Sequence, residues 1–209
     1  MRTDRKYLGL ALVAILLGSL SICRWKSSTR KDQLASPYPS EVRFVRETLS
    51  IEVSGNHVQV AGWYHFSHAA GREITLPIYY PFPAGRNEIL PDSISVLHDG
   101  SQVFFKTNPS GTLPGFSCVL PLHAGEADSF YVYYRQPLST SHFRYILTST
   151  QSWGAPLEQA VWTVNLPASF EDIRCSYIPD SISAPEGQHR YVFTKHHITP
   201  DRDLEFWWR

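Results

Sequence analysis

Short apolar–polar alternations follow one another from Thr48 to the C-terminus. A chain patterned with period two buries its apolar side chains by stacking sheets, because successive side chains of a strand point to opposite faces. In "TLSIEV" Leu49, Ile51 and Val53 share a face, and in "VQVAGWYHF" Val58, Val60, Gly62, Tyr64 and Phe66 do. These two faces match only if Ser54 to His57 form the loop, which pairs Val53 with Val58 and Ile51 with Val60. "EITLPIYYPF" aligns Ile74, Leu76, Ile78, Tyr80 and Phe82; Pro77 cannot donate to a ladder, so this is an edge or bulged strand. In "SISVLHDGSQVFFK" the Asp99-Gly100 pair suits a two-residue turn with positive φ at both positions. That register sets Val96 opposite Val103 and Ile94 opposite Phe105. Further strands are expected near Phe116–Leu120, Phe130–Arg135, Phe143–Thr148, Ala160–Leu166, Ile173–Tyr177, Tyr191–Thr194 and Leu204–Trp208. No segment after Cys23 sustains a helical period. Fifteen prolines, twelve glycines and 13% aromatic residues agree with many short strands and turns. The expected fold is all-β: an antiparallel β-sandwich of about eleven short strands over residues 42–209, behind one N-terminal hydrophobic helix.

The N-terminus carries a different signal. A basic head, "MRTDRK", precedes "YLGLALVAILLGSLSIC", residues 7–23, which contains no charge. Seventeen helical residues at ~1.5 Å each reach about 26 Å, slightly short of a ~30 Å hydrocarbon core. Residues 1–23 therefore read as a membrane anchor or a signal segment. Arg24, Trp25 and Lys26 resemble the interfacial collar of a retained helix, whereas Ser19 and Ser21 offer a cleavage site after Ser21. Lipidation at Cys23 is disfavoured by the bulky Ile22 before it. Residues 24–41 are polar, contain two prolines and read as a tether. A head this short stays in the cytoplasm, which places the β domain outside: extracytoplasmic, periplasmic or cell-surface, anchored to the cytoplasmic membrane.

Composition limits the function classes. Net charge is zero, and beyond residue 21 there are 16 basic and 18 acidic residues, so no basic surplus supports nucleic-acid binding. No G-x-S-x-G, glycine-rich phosphate loop, H-E-x-x-H or C-x-x-C occurs, so no catalytic residue, metal or cofactor is assigned. The nine histidines read as solvated surface residues; His196 and His197 are strand neighbours that face opposite sides. Cys118 and Cys175 both fall on inward faces and are candidates for a disulfide bridging the two sheets, with two unpaired buried thiols as the alternative. Trp63 and Trp207 alternate with polar neighbours and are candidates for an exposed platform that stacks on a sugar. The leading expectation is a non-enzymatic binding or scaffolding module with envelope proteins or a glycan as partners. The other two are a carbohydrate-binding module and a hydrolase with an unrecognised site.

Three stretches, "VQVAGWYHFSHAAGREITLPIYYPFP", "YILTSTQSWGAPLEQAVWTV" and "ITPDRDLEFWW", together resemble the secreted bacterial family called domain of unknown function 4424. The resemblance touches about a third of the chain and implies a signal-bearing extracytoplasmic β protein, without functional residues to carry over. It also bears on "SWGAP", where Trp153, Gly154 and Pro156 form a turn between two strands. A tryptophan there reads as a structural pin capping the end of the sandwich. Burying one such ring removes roughly 150–250 Å² from water, several kcal/mol as an upper bound at about 25 cal/mol/Å².

Overall fold

In the computed structural model the described residues are 37–69, 71–85, 87–110, 113–125 and 127–209. The apolar segment 7–23, Cys23 and most of the tether lie outside them. Among the described residues no helix is long and apolar enough to cross a membrane.

Fourteen strands are described. The first half of the chain gives β1 (Val42–Ser54), β2 (His57–His68), β3 (Ile74–Pro81), β4 (Ser93–His98), β5 (Ser101–Gln102), β6 (Phe105–Asn108) and β7 (Gly115–Leu122). The second half gives β8 (Ala127–Pro137), β9 (His142–Tyr145), β10 (Leu157–Pro167), β11 (Arg174–Cys175), β12 (Ser181–Ser183), β13 (Gln188–Ile198) and β14 (Leu204–Trp207). A 3-10 helix, Thr148–Trp153, joins β9 to β10.

Eight strands form one large sheet in the order β12-β13-β10-β1-β2-β8-β4-β5, and two three-stranded sheets run β11-β14-β9 and β3-β7-β6. The inner face of the large sheet packs on both small ones. Tyr64 and Tyr134 meet Tyr80 and Phe82 at one end, and Tyr191 and Phe193 meet Phe206 at the other. The core between them includes the fully buried Trp162, Phe66, Phe116, Phe143, Leu49 and Ile51.

The fold is all-β, but the sheets are not purely antiparallel. β1 and β10, at the centre of the large sheet, run parallel, with Leu49 beside Trp162 and Ile51 beside Val164. A parallel pair has no hairpin to announce it, and its two members lie about a hundred residues apart. The β1–β2 register is the one the alternation requires, with Val53 opposite Val58 and Ile51 opposite Val60. Ser54 and His57 pair with each other, so the turn itself is only Gly55-Asn56. β3 is an edge strand whose four aligned apolar side chains are all buried, as is Phe82 just beyond it, with Pro77 turned outward.

Asp99 and Gly100 take φ of 49° and 72°, and the Val103 amide donates to the Val96 carbonyl at 2.8 Å. The pairing of Ile94 with Phe105 does not occur. Ile94 pairs with Tyr134, and the chain leaves the large sheet at Phe104, 92% exposed, so that Phe105 pairs with Cys118 in the small sheet. Beyond Tyr145 the expected strand to Thr148 becomes the 3-10 helix.

A Cβ at Gly100 would meet nothing within 4 Å, so the cost of a side chain there is the backbone's alone. Gly100→Val is expected to lower stability by about 1–2 kcal/mol, because a β-branched residue is forced into the left-handed region. A urea melt within a few tenths of a kcal/mol of wild type would contradict this turn.

Candidate functional site

β1 is bulged between Phe44 and Arg46, so Phe44 and Glu47 both face inward. Glu47 lies opposite Tyr64 of β2 and beside Ala160 of β10, and is 1% exposed. A buried carboxylate is costly unless its oxygens are bonded. Here Tyr145 Oη donates to Oε1 at 3.1 Å and Trp162 Nε1 donates to Oε2 at 3.1 Å. Tyr145 also belongs to a triangle of buried phenols. Tyr64 lies 2.8 Å from Tyr80 and 2.7 Å from Tyr145, and Tyr80 donates to Tyr145 at 3.2 Å.

Proton counting couples this triangle to Glu47. With the carboxylate ionised, one phenol proton goes to Glu47 and two remain for three O···O contacts. With Glu47 protonated, its own hydroxyl can donate to Tyr145, and three phenol protons close all three contacts. Burial pushes the Glu47 pKa up to about 7, against the opposing pull of the Trp162 and Tyr145 hydrogen bonds. Burial likewise holds Tyr64, Tyr80 and Tyr145 well above the ordinary phenol value, with smaller charge effects that include Glu47. The ring of Tyr64 folds over Gly62, where a Cβ would collide with the phenol oxygen.

Above this network is a half-open cavity of about 50 Å³, lined by Tyr38, Glu47, Tyr64, Tyr80, Tyr145 and Trp153 among others. That is room for a few waters or one small head group. None of the described lining residues is basic. Tyr38 and Trp153 stack across the mouth, centroids 3.6 Å apart and planes 4° from parallel. Trp153 also leans on Phe66 at 5.1 Å and Phe44 at 5.7 Å.

The 3-10 helix sets this roof in place. Asp203 Oδ1 accepts from the Leu147 and Thr148 amides at 3.1 Å and from Thr148 Oγ1 at 2.8 Å, which caps the helix from a distant loop. Gln151 Nε2 donates to the Pro200 carbonyl at 2.6 Å. Gly154, with φ of 73°, ends the helix by donating to the Gln151 carbonyl at 3.1 Å. Pro156 then leads into β10. "SWGAP" is thus a helix end and cap. Its Trp153 is only partly buried and serves as both pin and roof.

Other expected site residues fall elsewhere. Cys118 and Cys175 are free thiols, so no disulfide joins them. Cys118 lies in β7 and Cys175 in β11, two small sheets on the same side of the large one, where no inter-layer bridge can form. Cys175 Sγ donates instead to the Tyr177 carbonyl at 3.0 Å, and burial pushes the Cys118 thiol up to about 11. Trp63, 47% exposed, leans on Tyr131 on the outer face of the large sheet. Trp207 stacks on His142 at 5.2 Å on the outer face of a small sheet, so the two tryptophans look in opposite directions and form no common platform. Not all histidines are surface residues: His68 and His98 are buried.

No family model and no curated protein matches this chain. Among solved structures it is similar to a provisionally named nutrient binding protein of Legionella pneumophila subsp. pneumophila str. Philadelphia 1. The TM-score is 0.65 at 17% identity, over 79% of this chain and 66% of that one. It is also similar to native leukotriene A4 hydrolase of Saccharomyces cerevisiae, with a TM-score of 0.52 at 8% identity over 87% of this chain. The match spans 31% of the hydrolase, less than a third of its length. At these identities the likeness is one of fold.

Because the folded state raises the Glu47 pKa from 4.5 to about 7, it binds the proton more tightly than the unfolded chain does. Stability is therefore expected to fall as pH rises from about 4.5 to 7, by roughly 3 kcal/mol at most, and to level off above. Glu47→Gln should remove this slope in urea melts taken across that range; a slope equal to wild type would place the titration elsewhere. Trp153→Ala is expected to cost about 2–3 kcal/mol, below the 3–5 of a fully buried aromatic because the ring is partly exposed. An unchanged melt would remove its role as a pin.

Proposed function

We propose that this chain is a non-enzymatic binding module of the bacterial envelope, which takes a small amine- or ammonium-headed ligand into the cavity beneath Tyr38 and Trp153. The observation that carries the reading is a buried carboxylate, Glu47, at the floor of an aromatic cavity with no basic residue among its described lining. Aromatic faces and a carboxylate both attract a cation, and more strongly where water is excluded. Concave aromatic pockets with a few convergent polar groups and a shifted pKa are where small ligands bind.

The same reading places a β-sandwich ectodomain, residues 42–209, outside the cytoplasmic membrane and holds it there through residues 7–23. The charge-free 7–23 segment, its basic head and the polar tether support this. So does the resemblance to domain of unknown function 4424.

The test is a titration of the full chain in detergent with methylammonium and tetramethylammonium, read by tryptophan fluorescence. Saturable binding is expected, strengthening as pH rises through about 7 and Glu47 ionises, and lost in Glu47→Gln. Neutral isosteres such as neopentane-headed alcohols are expected to bind at least ~10-fold more weakly. Absence of saturable binding at pH 8, or equal binding to Glu47→Gln, would overturn the proposal.

A further inference from the structure

At the end of β4, outside the cavity lining, His98 and Asp128 form a buried pair, with side chains 7% and 5% exposed. His98 Nε2 lies 2.7 Å from Asp128 Oδ1, and the Ser129 amide donates to the same oxygen at 2.7 Å. An ionised carboxylate only accepts, so Nε2 of His98 carries the proton, and in a neutral ring Nδ1 is a bare lone pair. That nitrogen faces Asp99 Oδ2 at 3.8 Å. Two acceptors facing each other repel unless something positive lies between them.

A third group converges on the same oxygen. His123 Nε2 lies 3.5 Å from Asp99 Oδ2, on the chain just beyond β7. His98 and Asp99 belong to the β4–β5 hairpin, where Asp99 takes a positive φ. Ligands of a tetrahedral zinc ion with bonds of ~2.0–2.1 Å stand about 3.3 Å apart. The two spacings to Asp99, 3.8 and 3.5 Å, exceed that by a few tenths of an ångström. His123 lies outside the cluster of His98, Asp99 and Asp128 whose donor atoms stand within 4.8 Å of one another, so the side chains of Asp99 and His123, each 60% exposed, must swing inward to close the site.

Other buried polar atoms near this cluster, on the far side of the His98 ring from Asp99, also lack partners. Asp128 Oδ2 is buried without a hydrogen-bond partner, although an unpaired buried carboxylate oxygen is costly. His68, on the same inner face and next along β2 from the Phe66–Asp128 pair, is also buried, with neither ring nitrogen bonded. This end of the large sheet therefore holds more buried polar atoms than its own hydrogen bonds satisfy.

We propose that His98 Nδ1, Asp99 Oδ2 and His123 Nε2 bind a divalent transition-metal ion of the zinc class, with Asp128 positioning His98. The donor set of two imidazoles and a carboxylate suits zinc, and a fourth position stays open to water. A carboxylate that accepts the distal N–H of a ligating histidine fixes its tautomer and raises its basicity, which is the role of Asp128. The ion would tie the β4–β5 hairpin of the large sheet to the end of β7 in a small sheet, stapling the two layers where the chain crosses between them.

The experiment is equilibrium dialysis of the full chain, stripped with chelator, against Zn²⁺, with the Co²⁺ form read by visible absorption. One zinc per chain and the intense d–d bands of four-coordinate Co²⁺ are expected. His123→Ala, an exposed change that leaves the core untouched, and Asp99→Asn should each abolish those bands. Asp128→Asn should weaken zinc by about 10–100-fold, the usual effect of losing a carboxylate behind a histidine ligand. His57→Ala, at the start of β2, should leave binding unchanged. If Asp128→Asn fails to fold, the His123 and Asp99 variants still decide. No stoichiometric zinc in wild type, as when His98 is simply an imidazolium between two aspartates, would overturn the proposal. So would wild-type affinity in both His123→Ala and Asp99→Asn.

Discussion

The structure turns on a carboxylate that forms no ion pair among the described residues. Glu47 joins the two central strands, because its own strand β1 lies parallel to β10, whose Trp162 donates to one oxygen. Its other oxygen accepts from Tyr145 in a small sheet. Through Tyr145, Tyr64 and Tyr80 the same network reaches β2 and β3. One side chain thus ties the large sheet to both small ones by directional bonds, where apolar packing alone would permit sliding. The energetic balance is delicate: burial favours the neutral acid, and the two donors favour the anion.

The cavity follows from that arrangement. The three phenols and Glu47 line it together, and the strand bulge at Phe44–Arg46 turns both Phe44 and Glu47 towards it. The chain closes the opening with a short helix rather than a strand. Asp203 satisfies three donors at its start and Gly154 turns it off at its end, so Trp153 is held over the gap with Tyr38 against it.

Some of this was legible in the residues. Alternation fixed the inward faces of β1, β2 and β3 and the β1–β2 register, because a slip of one residue would have turned every apolar side chain to water. Glu47 lies two positions before Leu49 on the same face, just outside the alternation that begins at Thr48. Tyr64 and Tyr80 stood among the inward residues as ordinary core. What alternation could not give was their partner, since Tyr145 and Trp162 lie 98 and 115 positions from Glu47 in the chain. The expected bridge between Cys118 and Cys175 failed for the same reason: inward faces were known, but not that both sat in one layer.

By itself the sequence determined the β class, the positive-φ turn at Asp99-Gly100 and which face of most strands is apolar. These depend on neighbours a few residues away, through the period of the strand and the steric limits on φ. Only the tertiary structure decided the parallel pairing of β1 with β10, the crossing of the chain between layers at Phe104, and the meeting of Glu47 with Tyr145 and Trp162. Those are long-range choices among strands with similar patterns, made by the fit of whole faces and the need to bond every buried polar atom, and no local period encodes them.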